Sequence, residues 1–307
     1  MTIQQLKVLL EICKGKTLLE TAEKMGLTQP TVSFHLRKLE EILGLELVRK
    51  TSRKLRPTEA ALELLPYIRR IVFLGGELEE HAAQLHKRGG ERLKIGASYT
   101  PATYLLPACF SAFQEEYPSI QLQLTVKKAG TIMAMLRNYE LDAAVVSLPN
   151  SPEPGLSIQP LLEDELRLVV APGHRLSGRR EIEAEDLQGE RLLLHEPGST
   201  SRTLTEEWMN QTEIIFNQSM ELGAIETMKE AVKCSLGIAV LPERSVIKEV
   251  AAGELIQFRL PNYRNRRYIS LVCRADEQLP HNARLFSEFI TNHFGDQKPR
   301  RNEKASS

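Results

Sequence analysis

Apolar side chains recur at three- and four-residue spacing through the first forty-odd residues, broken by glycines, and this pattern predicts three short helices. "IQQLKVLLEIC" sets Ile3, Leu6, Leu9 or Leu10 and Cys13 on one face. "TLLETAEKMGL" predicts a second helix, with Thr17 as N-cap, Gly26 as stop and Ala22 small enough to let another helix cross closely. Thr28 caps the third, and Pro30 is tolerated in its first turn because that amide has no partner there. Helix, glycine turn, helix is the pattern of a helix-turn-helix. "LELVRKTSRKLRPTEA" then predicts two short extended segments around a basic turn at 51–54, a wing. A long helix follows from 58 to about 87, striped by Leu64, Ile68, Ile71, Leu78, Ala82 and Leu85. Pro66 and Gly75-Gly76 should kink or loosen it. With no domain of its own to pack on, the stripe takes a second copy as its natural partner, the alternative being a helix that packs within its own chain.

From Arg92 the period changes. "RLKIGAS", "IQLQLTVKKA" and "DAAVVS" predict strands, separated by helices over "PATYLLPACFSAFQEEYP" and "TIMAMLRNYEL". A second unit of the same kind runs from "LRLVVAP" to "AIETMKEAVKCSLGIAVLP", and "YISLVCR" with "PHNARLFSEFITNHF" adds a last strand and helix. The fold class is α/β, with open, mostly parallel sheet behind an N-terminal winged helix-turn-helix.

On the third helix, Val32, Leu36, Leu39 and Leu43 fall in one narrow arc and face the core. Pro30, Ser33, Phe34, Arg37 and Lys38 point the other way, with Gln29 at the leading end. Phe34 gains nothing from water, so this face suits a major groove. Gln29 can bond a base edge, Ser33 a base or a phosphate, and Phe34 a thymine methyl. Arg37 would hold the phosphate backbone. Thr28 and Thr31, in the first turn, belong to the same candidate surface, and His35 reads as a flanking residue. The alternative packs Phe34 against a neighbouring helix or the wing. In the wing, Arg49, Lys50, Arg53 and Lys54 are placed to straddle a DNA backbone or enter the minor groove.

Charge sharpens this picture. Among 307 residues, 40 Lys and Arg balance 40 Asp and Glu, which by itself argues against a nucleic-acid partner. Residues 1–60, however, hold 11 Lys and Arg against 7 Glu, and six of those basic residues crowd into positions 37–54. A local basic patch on a neutral protein is what phosphate contact needs. A content of 42% apolar and 26% charged residues is that of a globular chain in water. No apolar run approaches the roughly 20 residues that cross a bilayer, and no signal peptide is read, so a cytoplasmic location without membrane contact is expected. Cys13, Cys109, Cys234 and Cys273 lie far apart, without metal or redox spacing, and read as reduced, mostly buried thiols. There is no GxGxxG, Walker A loop, GxSxG or metal-spaced His or Cys cluster, and the seven histidines lack an obvious carboxylate partner. An enzyme is therefore not expected, nor a metal, nor a cofactor.

Residues 2–66 resemble the winged helix-turn-helix of the LysR-type transcriptional regulators. The matching text is "QQLKVLLEI", "TAEKMGLTQPTVSFHLRKLEEILGLEL" and then arginines leading to "TEA". Further on, "YELDAAVV", "EPGSTSR" and "AVKCSLGIAVLPE" occur in the family's order. Departures are Val48, where the family usually has Phe, Ala61, where it has Gly, and Phe34, where Arg or another polar residue is common. The first two change packing, and the third means that no operator sequence is carried over. The resemblance implies a DNA-binding domain at 1–58 and a linker and dimerisation helix at 59–88, and "KRGGER" at 87–92 reads as a flexible break. It also implies a two-lobed, periplasmic-binding-protein-like effector domain, with lobe 1 at 92–160 and 266–295 and lobe 2 at 161–265. Residues 296–307 read as a disordered tail.

In open α/β sheets, ligands lie at the carboxyl ends of strands, where helix N-termini present free amides. Three such places stand out: Ser98, Tyr99 and Thr100; Thr131; and Gly198, Ser199, Thr200, Ser201 and Arg202, with Arg202 as a charged contact. Taken singly, each is also explained by helix capping. Together they suit a small anionic metabolite in the cleft where the family has its sensor pocket. The partners expected are double-stranded operator DNA, a small-molecule effector, a second copy in a homodimer or homotetramer, and RNA polymerase as a further candidate. Two-fold symmetry sets half-sites about 34 Å, or a multiple of that, apart on the duplex. The competing reading is a ligand-independent DNA-binding protein, which would fill the cleft with side chains.

Overall fold

A threonine opens each of the first three helices. In the computed structural model, which describes residues 1–51, 54–85, 92–149, 151–275 and 279–295, α1 runs Ile3–Cys13, α2 Leu18–Met25 and α3 Gln29–Leu43. Thr2 and Thr17 form capping boxes with Gln5 and Glu20, and the Thr28 hydroxyl accepts from the Thr31 amide at 3.3 Å. Gly26 ends α2 at φ +63°, a left-handed conformation that costs a residue with a Cβ. Strands β1 (Val48–Thr51) and β2 (Lys54–Pro57) pair antiparallel as the wing, and α4 runs Glu59–Leu85. Leu6, Val8, Leu9 and Ile12 of α1 pack with Ala22, Val32, Leu36, Leu39, Leu47, Ala61 and Ile68. On α1 it is Leu9, not Leu10, that turns fully inward, and Cys13 is only half-buried. The Glu40 carboxylate accepts the amides of Leu47 and Val48 at 2.9 and 3.3 Å, which pins the base of the wing to α3.

Pro66 and Gly75-Gly76 do not interrupt α4. At Gly75 a Cβ would lie 2.6 Å from Ile3 Cδ1, the tip of a partly exposed side chain that can turn aside. The tail at 296–307, the break at 87–91 and Arg53 lie outside the described residues, as do the side chains of Lys50 and Lys54.

The chain divides into two compact units, Met1–Glu91 and Arg92–Ser307. The second holds two five-stranded sheets. In chain order its elements are β3 (Arg92–Ala97), α5 (Tyr99–Tyr104), α6 (Leu106–Glu116), β4 (Gln121–Val126), α7 (Ala129–Arg137), β5 (Ala143–Pro149) and β6 (Leu156–Glu163). There follow β7 (Leu166–Val170), β8 (Arg191–His195), α8 (Thr200–Thr212), β9 (Gln218–Leu222), α9 (Ile225–Lys233), β10 (Ile238–Pro242), α10 (Glu243–Ala251) and β11 (Ile256–Arg259). β12 (Arg267–Arg274) and α11 (His281–Gly295) close the order. The first sheet is ordered β4-β3-β5-β12-β6 and the second β11-β7-β10-β8-β9.

The return strand β12 joins the first sheet between β5 and β6, so lobe 1 is completed by the end of the chain. Three expectations are corrected here. Each sheet is mixed: β12 runs antiparallel to β5 and β6, and β7 antiparallel to β10 and β11, because strands that cross between lobes come back in the opposite direction. β6 stays in the first sheet to Glu163, which moves the first crossing past residue 160 to 164–165. The helix expected over 101–118 breaks at Leu105, and Pro107 sits in the first turn of the new helix that follows. Phe113 and Phe286 pack edge-on at 5.4 Å in lobe 1. In lobe 2, buried Trp208 donates Nε1–H to the Pro261 carbonyl at 2.8 Å.

All four cysteines are free thiols, and burial pushes Cys109 up to about 12. One histidine does have a carboxylate partner, contrary to the sequence reading: His174 Nε2 lies 3.1 Å from Glu190.

Glu11 is ringed by Lys14, Lys16 and Lys24 at 3.2, 3.0 and 2.7 Å. Burial raises its pKa, but the three ammonium groups outweigh that and bring it from 4.5 to about 2. The charged form therefore contributes stability that is present above pH 4.5 and lost as pH falls toward about 2. Acid unfolding of Glu11→Gln, followed by circular dichroism, should show a smaller fall in stability across that window than the parent; an unchanged pH dependence would count against the cluster.

Candidate functional site

Each unit carries a candidate surface. On α3 the apolar arc is buried at Val32, Leu36 and Leu39, and Leu43 is half-buried. On the opposite side Gln29, Pro30, Arg37 and Lys38 are exposed and Ser33 half-buried. Phe34 is 58% exposed, with the His35 ring tilted against it at 6.0 Å. The alternative in which Phe34 packs inside the monomer is thus not what the fold adopts. Arg37 makes no ion pair among the described residues, whereas Lys38 is paired with Glu41 at 2.6 Å and Arg49 with Glu46 at 3.1 Å. Thr28 and Thr31 are occupied with each other, hydroxyl to hydroxyl at 2.8 Å, at the start of the helix.

In the second unit a cavity of about 260 Å³ opens between the lobes. Four helix starts line it: Ser98 to Thr100 at α5, Lys128 and Ala129 at α7, Ser199 to Ser201 at α8, and Ala224 to Glu226 at α9. The caps of α5, α7 and α9 make no side-chain capping bond, which leaves N–H groups of these first turns without a capping partner. Ser98 instead accepts the Ser147 amide at 2.8 Å. Contacts cross the cleft at two rims. The Tyr104 hydroxyl donates to Glu226, and Lys128 donates to the Pro197 carbonyl at 2.7 Å with Glu196 at 3.6 Å. Burial, and then the Glu226 carboxylate, push the Tyr104 phenol well above its ordinary range, so it stays protonated as a donor.

The floor of the cleft is charged and buried. Arg267, 2% exposed, lies with Nη1 3.1 Å from Asp164 Oδ2, and its Nη2 donates to Thr100 Oγ1 at 3.1 Å. Asp164 also accepts the Ser147 hydroxyl at 2.9 Å. Beside them, His195 is held down to about 4 by burial first and by the Arg267 charge second, so its ring is neutral at pH 7. Its Nε2 is 3.1 Å from the Val240 carbonyl, which can only accept, so Nε2 carries the proton and Nδ1 the lone pair.

Of the residues expected here, Ser98, Tyr99, Thr100, Ser199, Thr200 and Ser201 converge on the cleft. Thr131, Gly198 and Arg202 do not line it. The helix opens at Ala129, two residues before Thr131, which is exposed in its first turn. Arg202 is turned onto Glu206 of its own helix and onto the His195 carbonyl, bonding the latter at 3.0 Å. The buried cation of the site is Arg267 instead. It was missed because nothing local in the sequence marks the crossing between lobes as a site, and Lys128, His195, Tyr104 and Glu226 were missed because strand ends and helix starts were read only for hydroxyls, amides and Arg202.

Two family profiles match the chain: "Bacterial regulatory helix-turn-helix protein, lysR family" over residues 3–62 and "LysR substrate binding domain" over residues 86–295. A probable RuBisCO transcriptional regulator of Cyanophora paradoxa is 30% identical over 311 residues, covering 100% of this chain and 96% of its own length. Among solved structures, a full-length OxyR point variant from Pseudomonas aeruginosa matches with a TM-score of 0.70 at 24% identity, over 95% of both chains. The Synechocystis PCC6803 CcmR regulatory domain in complex with 2-PG matches with a TM-score of 0.60 at 24% identity, over 70% of this chain and 100% of that one. At that identity the two structures speak for the fold. With both profiles in place along its length, the chain belongs to the LysR family of transcriptional regulators.

Proposed function

We propose that this regulator binds an operator through the exposed face of α3 and the wing, and that a small anionic metabolite in the inter-lobe cleft modulates that binding or the bend of the DNA. The observation that carries the reading is the convergence of four helix starts and a buried arginine on an open cavity. Helix N-termini favour negative charge. At about 260 Å³ the cavity lies just below the roughly 300–1,000 Å³ of drug-sized sites, so the effector is a small molecule. A ligand-independent protein would fill such a cleft with side chains. The names of similar proteins make RuBisCO promoters and 2-PG the first operators and ligand to test.

Gln29, Ser33 and Phe34 are the base-reading candidates; Arg37 and Arg49, with Lys50, Arg53 and Lys54, are the phosphate contacts. The protein works where its promoter is, in the cytoplasm. It acts as a homodimer or a higher homo-oligomer, because α4 leaves Leu62, Tyr67, Ile71, Leu74 and Leu78 exposed in the single chain. The chemistry at the cleft is recognition, not turnover.

Replacing Arg37 and Arg49 by alanine should flatten the salt dependence of operator binding by about 0.9 in log–log slope per lost phosphate contact, read by fluorescence anisotropy; a parental slope refutes their role. Leu74→Glu should shift the oligomer toward monomer in sedimentation velocity. A true effector at a hundred times its Kd should stabilise the protein by about 2.7 kcal/mol in thermal denaturation. Gly223→Leu places a side chain in the cleft, where its Cβ would meet only Glu196 Oε2 at 3.8 Å, and should abolish that stabilisation. Full stabilisation of this variant would move the effector elsewhere.

A further inference from the structure

The chain crosses between lobes twice, and the buried pair sits at both crossings. Asp164 follows β6 directly, and Arg267 opens β12. Their backbones are joined as well, the Asp164 amide donating to the Arg267 carbonyl at 3.1 Å. Yet the pair is incompletely satisfied. Arg267 Nε and Nη1 and Asp164 Oδ1 are buried without a hydrogen-bond partner, although Nη1 is within ion-pair distance of Oδ2. Buried donors of a charged group are costly to leave unmade, and nearly all in folded proteins find an acceptor. Those two nitrogens are closed to solvent, but the arginine itself lines the cleft, so an acceptor bound there meets the guanidinium at the edge that faces the cavity.

Two further features narrow the occupant. Thr100, 3% exposed, already accepts at its hydroxyl from Nη2, so the hydroxyl proton is left to donate toward the same space. His195 beside it offers a lone pair, because its proton is committed to Val240. An oxyanion satisfies the arginine and the threonine, and a hydroxyl next to that oxyanion satisfies the histidine.

We propose that Arg267 is the anion anchor of the cleft: it takes a carboxylate or phosphate oxyanion of the effector, with Thr100 as second donor and His195 Nδ1 accepting from a neighbouring hydroxyl. Asp164 is the internal counter-ion that holds the guanidinium in place when the cleft is empty. Because anchor and counter-ion are the residues where the strands cross, the bound group acts on both crossings at once. The inference rests on the reading of the cleft as the effector site and adds which side chain reads the charge and what chemistry it reads.

The test uses the full chain, with glycolate and inorganic phosphate as separate probes against chloride at matched ionic strength, and affinity read from the concentration dependence of the melting temperature. Glycolate carries both the carboxylate and the adjacent hydroxyl; phosphate carries the oxyanion alone. Arg267→Met with Asp164→Leu removes both charges, an exchange that buried ion pairs often tolerate without loss of stability. The parent should bind at least one probe saturably, and the double variant should bind it about 10- to 100-fold more weakly, the loss expected for hydrogen bonds to a charged group. His195→Phe should weaken glycolate and leave phosphate unchanged. If the double variant fails to fold, Arg267→Lys, which keeps the charge opposite Asp164 but not the planar fork, decides in the same way. Parental affinity in whichever variant folds overturns the proposal, as does a parent that binds neither probe. Persistence of probe binding in Gly223→Leu would overturn the cleft reading itself, so the two failures are distinguishable.

Discussion

The buried pair of Arg267 and Asp164 is the constraint around which the effector unit is built. Taking two charges out of water is unfavourable unless close approach and added hydrogen bonds offset the loss. Here Ser147 donates to the carboxylate, Thr100 accepts from the guanidinium, and a backbone bond joins the two residues. Neither can leave without stranding the other. The floor of the cleft, which is also where the strands cross, is therefore the part least free to change. The rims are different in kind. Tyr104 with Glu226, and Lys128 with Pro197 and Glu196, are contacts at more exposed positions.

Charge balance in the cleft gives the same division. Lys128 faces Glu196, and Arg267 faces Asp164, so the cavity has little excess charge to attract an anion by long-range force. What it offers are directed donors, the amides at four helix starts and the hydroxyls of Ser199, Thr200 and Thr100. Directed donors select by geometry where bare charge would not. The neutral His195 fits this arrangement, since a second buried cation against Arg267 would be repelled by it and costly to desolvate.

In the DNA-binding unit a narrow apolar arc has the equivalent role. Because Val32, Leu36 and Leu39 hold α3 by one side, the other side can expose a phenylalanine, and an arginine without an ion pair among the described residues, and the fold is not loosened. Glu40 reaches from the same helix to two wing amides, so the wing is positioned by the element it flanks. The Glu11 cluster with three lysines ties α1 to α2 through Lys24.

The sequence by itself determined the elements whose causes are local. The threonine caps, the glycine stop at Gly26, the 3.6-residue arc of α3 and the hydroxyl-rich turns at Ser98–Thr100 and Ser199–Ser201 all follow from residues within one or two turns of each other. Where two local signals compete, the sequence was less decisive: Pro66 and Gly75-Gly76 read as helix breakers, but α4 runs through all three. Only the tertiary structure decided that Thr131 and Arg202 stand aside from the cleft while Arg267, Asp164, Lys128 and His195 build it. The physical reason is separation along the chain. Asp164 and Arg267 are about a hundred residues apart, and an ion pair between two crossing strands has no period, no spacing and no neighbouring residue to announce it.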